Sequence, residues 1–295
     1  MIDTSPILVA TDFSDPAAIA VRRAAQLAGE RQCPLRLLYV FNPFAWEHMH
    51  RFLPLPLRGS DPRIQADLAL DKLAVDLAVR YKLTDISSES ASGRAASQIA
   101  ERANAAGAGL IVVGVSGEGS LSHELAIGGT AIKVLRQCHC PVLVVRNPSE
   151  TAYRRILVAT DFSATANRAL QTARDRFPEA AHTVLHACTV PYEGRMRMEG
   201  ATAEDIERYR QEEIEAGRKN MHAFLATADR QAKSPIATVV RHGHAAPVLM
   251  DEIQTSGFDL LVVGRHGVSV LDERLLGSVT LNLLHHAPCD VLLVP

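Results

Sequence analysis

The sequence predicts an α/β protein built of two tandem, doubly wound domains. Three observations predict it: the chain is written twice, each copy alternates short apolar runs with longer segments of helical period, and the apolar runs are continuous, as in strands buried on both faces. "ILVATDFS" stands at Ile7–Ser14 and again at Ile156–Ser163; "LIVVG" from Leu110 answers "LLVVG" from Leu260; "CPVLVV" from Cys140 answers "CDVLLV" from Cys289. The register slips by one residue before Gly264 and is then regained. The polar join "RNPSETAYR", Arg146–Arg154, holds Pro148 and places the domains at 1–148 and 149–295.

In the first copy, Ile7–Ala10 reads as a strand. "DPAAIAVRRAAQLAGE" follows with Ile19, Ala20, Arg23, Ala24 and Leu27 at helical spacing. Leu35–Val40 is the second strand. Residues 64–82 form an amphipathic helix whose candidate core positions are Leu68, Leu70, Leu73, Leu77 and Tyr81. A weaker strand spans Asp85–Ser90, then a helix Ser97–Ala106, a strand Leu110–Val113, a helix Thr130–Gln137 and a last strand Val142–Val145. The second copy repeats the order. Such alternation implies a parallel sheet covered by helices on both faces, wound by right-handed crossovers.

The 295 residues carry a net charge of −2, with ordinary apolar and charged fractions. Nothing suggests a nucleic-acid footprint or a polybasic membrane contact. No apolar run approaches a bilayer span, and "MIDTSPILVATDFS" lacks a basic n-region and a cleavage site. Five cysteines, an odd number, do not suggest a disulfide framework, so a reducing cytoplasm is the expected compartment.

Ligands of doubly wound sheets bind beyond the carboxyl ends of the strands. There the second copy reads "GRHGVSVLDERLLGSVT": Gly264 closes a strand, Gly267 permits close backbone approach, and Gly277-Ser278 opens a helix. Unpaired amides and the dipole at a helix start favour negative charge, and Ser278 and Thr280 could add hydroxyl donors. Neither a Walker loop nor a dinucleotide fingerprint is present. Spacing alone leaves open a phosphate cradle and a plain tight turn. Asp12 and Asp161 follow the first strand of each copy and precede Phe-Ser, with Ser14 and Ser163 as candidate N-caps. Each aspartate reads either as a helix cap or as a partner of a ribose or base, and the two roles are compatible.

On "ILVATDFS", the "VVG" strand and the Gly264-x2-Gly267-x9-Gly277-Ser278 pattern, repeated in order over nearly the full length, the chain resembles two tandem universal stress protein (UspA-like) domains. The resemblance implies a Rossmann-like, five-stranded parallel sheet in each domain and ATP, with or without Mg, lying over the strand ends. It places Asp161 at the ribose or adenine, and backbone groups of Leu185, His186 and Ala187 around the adenine. Gly264, Gly267, Gly277, Ser278, Val279 and Thr280 hold the phosphates, with Arg265 among them, and Val240–Gly243, ending in Gly243, lies at the nearby strand–loop edge. It also suggests that the two copies pair through their last strands as a pseudo-dimer, with a homodimer as a further possibility.

The first copy departs from the pattern. After Gly114-x2-Gly117, Gly128 follows ten residues on, and Gly129 stands where the hydroxyl belongs; Thr130, shifted by one, is the substitute. Its loop carries Glu118 and Glu124 without Lys or Arg, whereas the second has Arg265, His266 and Arg274 against Asp272 and Glu273. A carboxylate near a triphosphate is repulsive by about 1 kcal/mol or more before screening. A competent site is therefore expected in the second copy and an altered one in the first.

Other signals point less far. Cys138, His139 and Cys140 with a distant His could assemble a metal site, but Cys140 and Cys289 precede equivalent strands as small buried hydrophobes do. "HGH" at His242–His244 reads as a loop glycine flanked by exposed histidines, and His285-His286 suit a helix C-terminus. His48–Gly59 reads as a packed surface loop, with a lid or partner contact through Phe52, Leu53 and Leu55 as the other reading. "EDIERYRQEEIEAGRKNMHAFL" is a solvated amphipathic helix. No catalytic residue is assigned. The leading expectation is an ATP-binding stress-response protein with a nucleotide-dependent regulatory or scaffolding role, acting by self-association or on a protein partner. The alternatives are a nucleotide-free dimerisation scaffold and a slow ATPase or adenylyl-transfer enzyme.

Overall fold

Continuous apolar runs become central strands, and the computed structural model shows this in both halves; it describes residues 4–43, 62–117, 127–228, 235–267 and 276–295. Two compact units, Met1–Ala152 and Tyr153–Pro295, divide the chain. The join has a physical basis. Glu150 accepts from the Arg80 guanidinium at 2.7 Å and from the Tyr81 hydroxyl at 3.0 Å, and the Thr151 carbonyl accepts from Arg23 at 2.7 Å. These bonds hold the segment to the first unit. Tyr153 is buried in the second, donating to Asp290 at 2.5 Å.

The first unit runs β1 (Ile7–Thr11), α1 (Asp15–Arg31), β2 (Leu35–Phe41), α2 (Pro62–Tyr81), β3 (Ile86–Ser92), α3 (Ala95–Ala105), β4 (Leu110–Gly114), α4 (Gly129–Gln137), β5 (Val142–Val145). Its strands pair in the order β3-β2-β1-β4-β5, every pair parallel. The second unit runs β6 (Arg155–Ala159), α5 (Ala164–Arg176), β7 (Ala181–Cys188), α6 (Glu193–Met198), α7 (Ala203–Ala228), β8 (Ala237–His242), α8 (Ala245–Ser256), β9 (Leu260–Gly264), α9 (Ser278–His286), β10 (Asp290–Val294). Its order, β8-β7-β6-β9-β10, is the same arrangement, again all parallel. Each sheet reverses winding direction beside its first strand, between β1 and β4 and between β6 and β9, the switch point at which a crevice opens.

Burial explains the strands. Ile156, Leu157 and Val158, and Leu260, Leu261 and Val262, are fully buried although successive side chains point to opposite faces. Helices must therefore cover both faces. The helices start where the sequence supplies a cap. Ser14 accepts from the Ala17 amide and Ser163 from the Ala166 amide at 3.1 Å, so the serines are the N-caps in both units.

Two details differ from the sequence expectation. Leu70 and Leu77 of α2 are buried, but Leu68 faces solvent, because the buried stripe runs through Ala66, Leu70 and Leu77 instead. The short helix α6 has no periodic apolar signal; Tyr192 precedes it in the left-handed region at φ 58°, and ion pairs of Glu193 with Arg197 and Arg210 hold it. Residues 48–59 and Glu118, Glu124, Asp272, Glu273 and Arg274 lie outside the described residues.

Candidate functional site in the second unit

Strand β6 delivers the first part of the site. Beyond Ala159 the chain turns sharply: Phe162 takes a left-handed φ of 65°, and the Thr160 hydroxyl accepts from its amide at 2.9 Å. Asp161 Oδ1 accepts from the Ser163 amide at 3.0 Å. Both roles foreseen for this aspartate are thereby separated: Ser163 caps α5, Asp161 braces Ser163, and the second carboxylate oxygen turns across the switch point. Asp161 Oδ2 lies 2.6 Å from the place of a β-carbon at Gly267. The first unit repeats the device. Asp12 Oδ1 accepts from the Ser14 amide and hydroxyl, and a β-carbon at Gly117 would collide with Asp12 Oδ2.

The neighbouring strand β7 supplies His186. Its Nδ1 donates to the Thr160 carbonyl at 2.9 Å; a carbonyl can only accept, which fixes the proton on Nδ1. The ring packs against Phe162 with centroids 4.2 Å apart, and Phe162 meets Phe224 of α7 at 5.8 Å. Gly217, also on α7, lets that helix close on the strands. A β-carbon there would lie 2.9 Å from Val240 Cγ1 and 3.3 Å from His186 Cδ2. Sequence reasoning read α7 as a solvated amphipathic helix and gave it no part beside the site; the signal is a lone glycine inside an otherwise strong helix.

The other wall is β9 and the start of α9. Gly264 ends the strand, where a β-carbon would meet Thr165 Cγ2 at 2.7 Å, so glycine is needed for α5 to pack there. Gly277 is the N-cap of α9, and its amide donates to the Arg265 carbonyl at 3.2 Å. Among the described residues there is room around Gly277: a β-carbon would find its nearest neighbours, Thr280 Oγ1 and the Arg265 carbonyl, at 3.6 and 3.7 Å. Thr280 has a structural bond as well. It is buried, and its hydroxyl donates to the Gly264 carbonyl at 3.1 Å, tying α9 to the end of β9. Ser278, by contrast, is exposed at the helix start.

These walls enclose a cavity of about 340 Å³. Of the sequence-predicted residues, Asp161, Leu185, His186, Ala187, Gly264, Gly267, Gly277, Ser278, Val279 and Thr280 line it. Gly243 and Arg265 do not. Gly243 sits at φ 139° with its amide bonded to the Cys188 carbonyl, next to the lining residue Ala245. Arg265 points into the protein and is buried. The cavity also takes in Thr160, Leu249 and His266, which the motif reading did not place in the site. His266 stands between the two paired glycines, and its buried Nδ1 has no hydrogen-bond partner among the described residues.

The first unit holds an equivalent cavity of about 380 Å³, walled by Asp12, Gly114, Gly117, Gly128, Gly129 and Thr130. What changes is chemistry: Tyr39 pairs with Phe13 where His186 pairs with Phe162, Ser116 replaces His266, and Lys133, one turn into α4, contributes a cation that the loop sequence lacks. Elsewhere, Cys138 is buried and His139 exposed, and no cluster of three or more His, Cys, Asp or Glu is placed to hold a metal among the described residues. His242 approaches Glu193 at 3.4 Å, away from the cavity lining. No helix among the described residues is long and apolar enough to cross a membrane.

Comparison with known proteins agrees with this architecture. A universal stress protein of Methanocaldococcus jannaschii is 31% identical over 153 residues, 49% of this chain and 83% of its own length. One from Mycolicibacterium smegmatis is 26% identical over 295 residues, 98% of this chain and 96% of its own. The crystal structure of a universal stress protein from Archaeoglobus fulgidus shares the fold at a TM-score of 0.71 and 15% identity, covering 99% of this chain and 98% of that one. The sequence profile of the universal stress protein family matches twice, over residues 4–146 and 152–295. With both halves matched and both sheets wound alike, the chain belongs to the universal stress protein family as a tandem of two such domains.

Proposed function

We propose that the second unit binds an adenine nucleotide, ATP in the first instance, and that occupancy governs a regulatory or scaffolding role. The observation that carries this reading is the pairing of room and unmet polarity on one wall of the cavity. Among the described residues nothing demands glycine at Gly277, yet a side chain there would enter the cavity at the amide-rich start of α9. Beside it, a buried ring nitrogen of His266 has no partner among the described residues, a costly arrangement unless a further group completes it, as a ligand would. A polyanion at the helix start satisfies both features.

The remaining walls suit the rest of a nucleotide. Asp161 provides a carboxylate at the switch point for sugar hydroxyls, and Leu185, Ala187 and Leu249 provide apolar surface for a flat base. A volume of about 340 Å³ is within the usual range for a small-molecule site. Thr280 holds α9 in place at the cavity wall through its bond to the Gly264 carbonyl. Magnesium, where it accompanies ATP, would be held chiefly by the phosphates. The first unit, lacking the His266 and Ser278 equivalents, is a weaker or different site in this reading.

Two measurements test the proposal on the full chain. Mass spectrometry of small molecules released from the natively purified protein is expected to find an adenine nucleotide. Calorimetric titration of the emptied protein with ATP is expected to show one tighter site, removed by changes in the second unit. Absence of adenylate affinity in folded protein would overturn it. Quantitative binding only through the first unit would overturn the assignment of the site.

A further inference from the structure

We infer that helix α2 of the first unit is the contact face of a homodimer, in which α2 crosses α2 of a second copy antiparallel. The inference is independent of nucleotide binding. Among the described residues, large apolar side chains exposed to solvent are few, and four of them lie on this helix: Ile64, Leu68, Val75 and Val79, at 57, 60, 63 and 78% exposure. At about 100° per residue they fall in one stripe spanning about 60° of the helix surface. The opposite stripe, Ala66, Leu70 and Leu77, is buried on the sheet. A surface helix ordinarily turns charge outward, so α2 is apolar on both faces.

The second unit provides an internal reference. Helix α7 follows the second strand of its unit as α2 does, and its outward face carries ion pairs: Arg208 with Asp205, Arg210 with Glu207, Arg218 with Glu215. The apolar stripe is thus not a requirement of the fold. It belongs to this one helix.

Its spacing points to a second copy as the occupant. The stripe reads the same from either end: Ile64 and Leu68, then the charged pair Asp71 and Lys72, then Val75 and Val79. A two-fold axis through the middle sets Ile64 beside Val79 of the second copy and Leu68 beside Val75 of the second copy. The central layer then contains one acid and one base from each helix and is neutral, each Asp71 keeping the bond it accepts from the Ser88 hydroxyl at 2.7 Å. Self-complementarity of this kind is what an isologous contact needs, and an unrelated partner would not require it. Residues 64–79 span about 22 Å of helix. A single helix pair buries less than the about 800 Å² per partner typical of a stable complex, so the dimer is reversible, with a dissociation constant on the order of 10 to 100 µM.

Sedimentation velocity on the full chain across about 1 to 200 µM tests this. The wild type is expected to move from monomer to dimer as concentration rises. A Leu68→Glu, Val75→Glu variant is expected to stay monomeric with an unchanged melting curve, since both positions face solvent. Met198→Glu, at an exposed position elsewhere, is expected to dimerise like the wild type. Register is tested in a Cys140→Ser background: Leu68→Cys mixed with Val75→Cys should form a disulfide dimer faster than either protein alone. A wild type that remains monomeric at all concentrations overturns the inference. So does a dimer that survives the double glutamate change, or cross-linking that is fastest between identical cysteine variants.

Discussion

Asp161 Oδ2 and Gly267 hold one another's identity: a β-carbon at Gly267 would stand 2.6 Å from that oxygen, closer than side chains approach in folded proteins. The two residues lie after β6 and after β9, on either side of the switch point. Asp12 and Gly117 repeat the relationship in the first unit. The glycine motif is therefore partly about the aspartate and only partly about ligand.

Gly267→Ala is expected to push the Asp161 carboxylate aside, costing about 1–3 kcal/mol of stability as overpacking does and weakening nucleotide binding about tenfold or more. Asp161→Ala should remove the collision but not restore binding. Combining the two changes should therefore give non-additive stabilities in chemical denaturation, because the residues touch. Additive losses would show that the contact is not the constraint.

Gly277 should behave differently. A β-carbon there meets nothing closer than 3.6 Å, so Gly277→Val should cost only about 1 kcal/mol through the N-cap, while its side chain occupies ligand space. Gly128→Val faces Ser116 Cα at 3.3 Å and should strain the first unit locally, leaving nucleotide affinity in the second intact. Titration calorimetry with thermal melts separates the cases. Equal loss of ATP affinity from both would contradict the asymmetry between units.

His266→Ala offers a test that leaves the backbone alone. If its buried Nδ1 bonds a ligand, the variant should bind ATP about ten- to hundredfold more weakly, since a lost hydrogen bond to a charged group is worth about 1.5–3 kcal/mol. In the empty protein the same change should be neutral or slightly stabilising, because it removes an unsatisfied polar atom. Destabilisation of the empty protein with unchanged affinity would assign His266 to packing instead.

Most of the fold was legible because parallel strands buried on both faces leave continuous apolar words, and a repeated word such as "ILVATDFS" needs no periodicity to be noticed. The glycines of the site were legible for the same reason. Less visible was what depends on contacts distant in sequence. Thr280 reads as a phosphate donor from its place at a helix start, and its bond to the Gly264 carbonyl, sixteen residues back in the chain, is invisible to such a reading. Leu68 looked like core because leucine at helical spacing usually is; α2 carries two apolar stripes, and spacing alone does not say which one meets the sheet. Lys133 lies beyond the loop whose charges were counted, and only the winding of α4 brings it to the first cavity.

His182 yields a prediction about pH. It is buried on β7, with Nε2 3.3 Å from the Ala173 carbonyl. Burial pushes its pKa below the ordinary 6.5, Arg174 adds to that, and the bonds to the Ala173 and Ala180 carbonyls oppose it. The unfolded chain therefore takes up a proton that the folded chain refuses. Stability from this group is fully present above about pH 6.5 and is lost as pH falls through the depressed folded value, at no more than about 1.4 kcal/mol per pH unit. Urea denaturation followed from pH 7.5 downward should lose stability more steeply in the wild type than in His182→Gln, which keeps a donor for Ala173 but does not titrate. The imidazole resonance of the folded protein should titrate below the ordinary histidine range. Matching slopes in the two proteins, or an unshifted resonance, would show that the second unit accommodates a charged imidazole at this buried strand position.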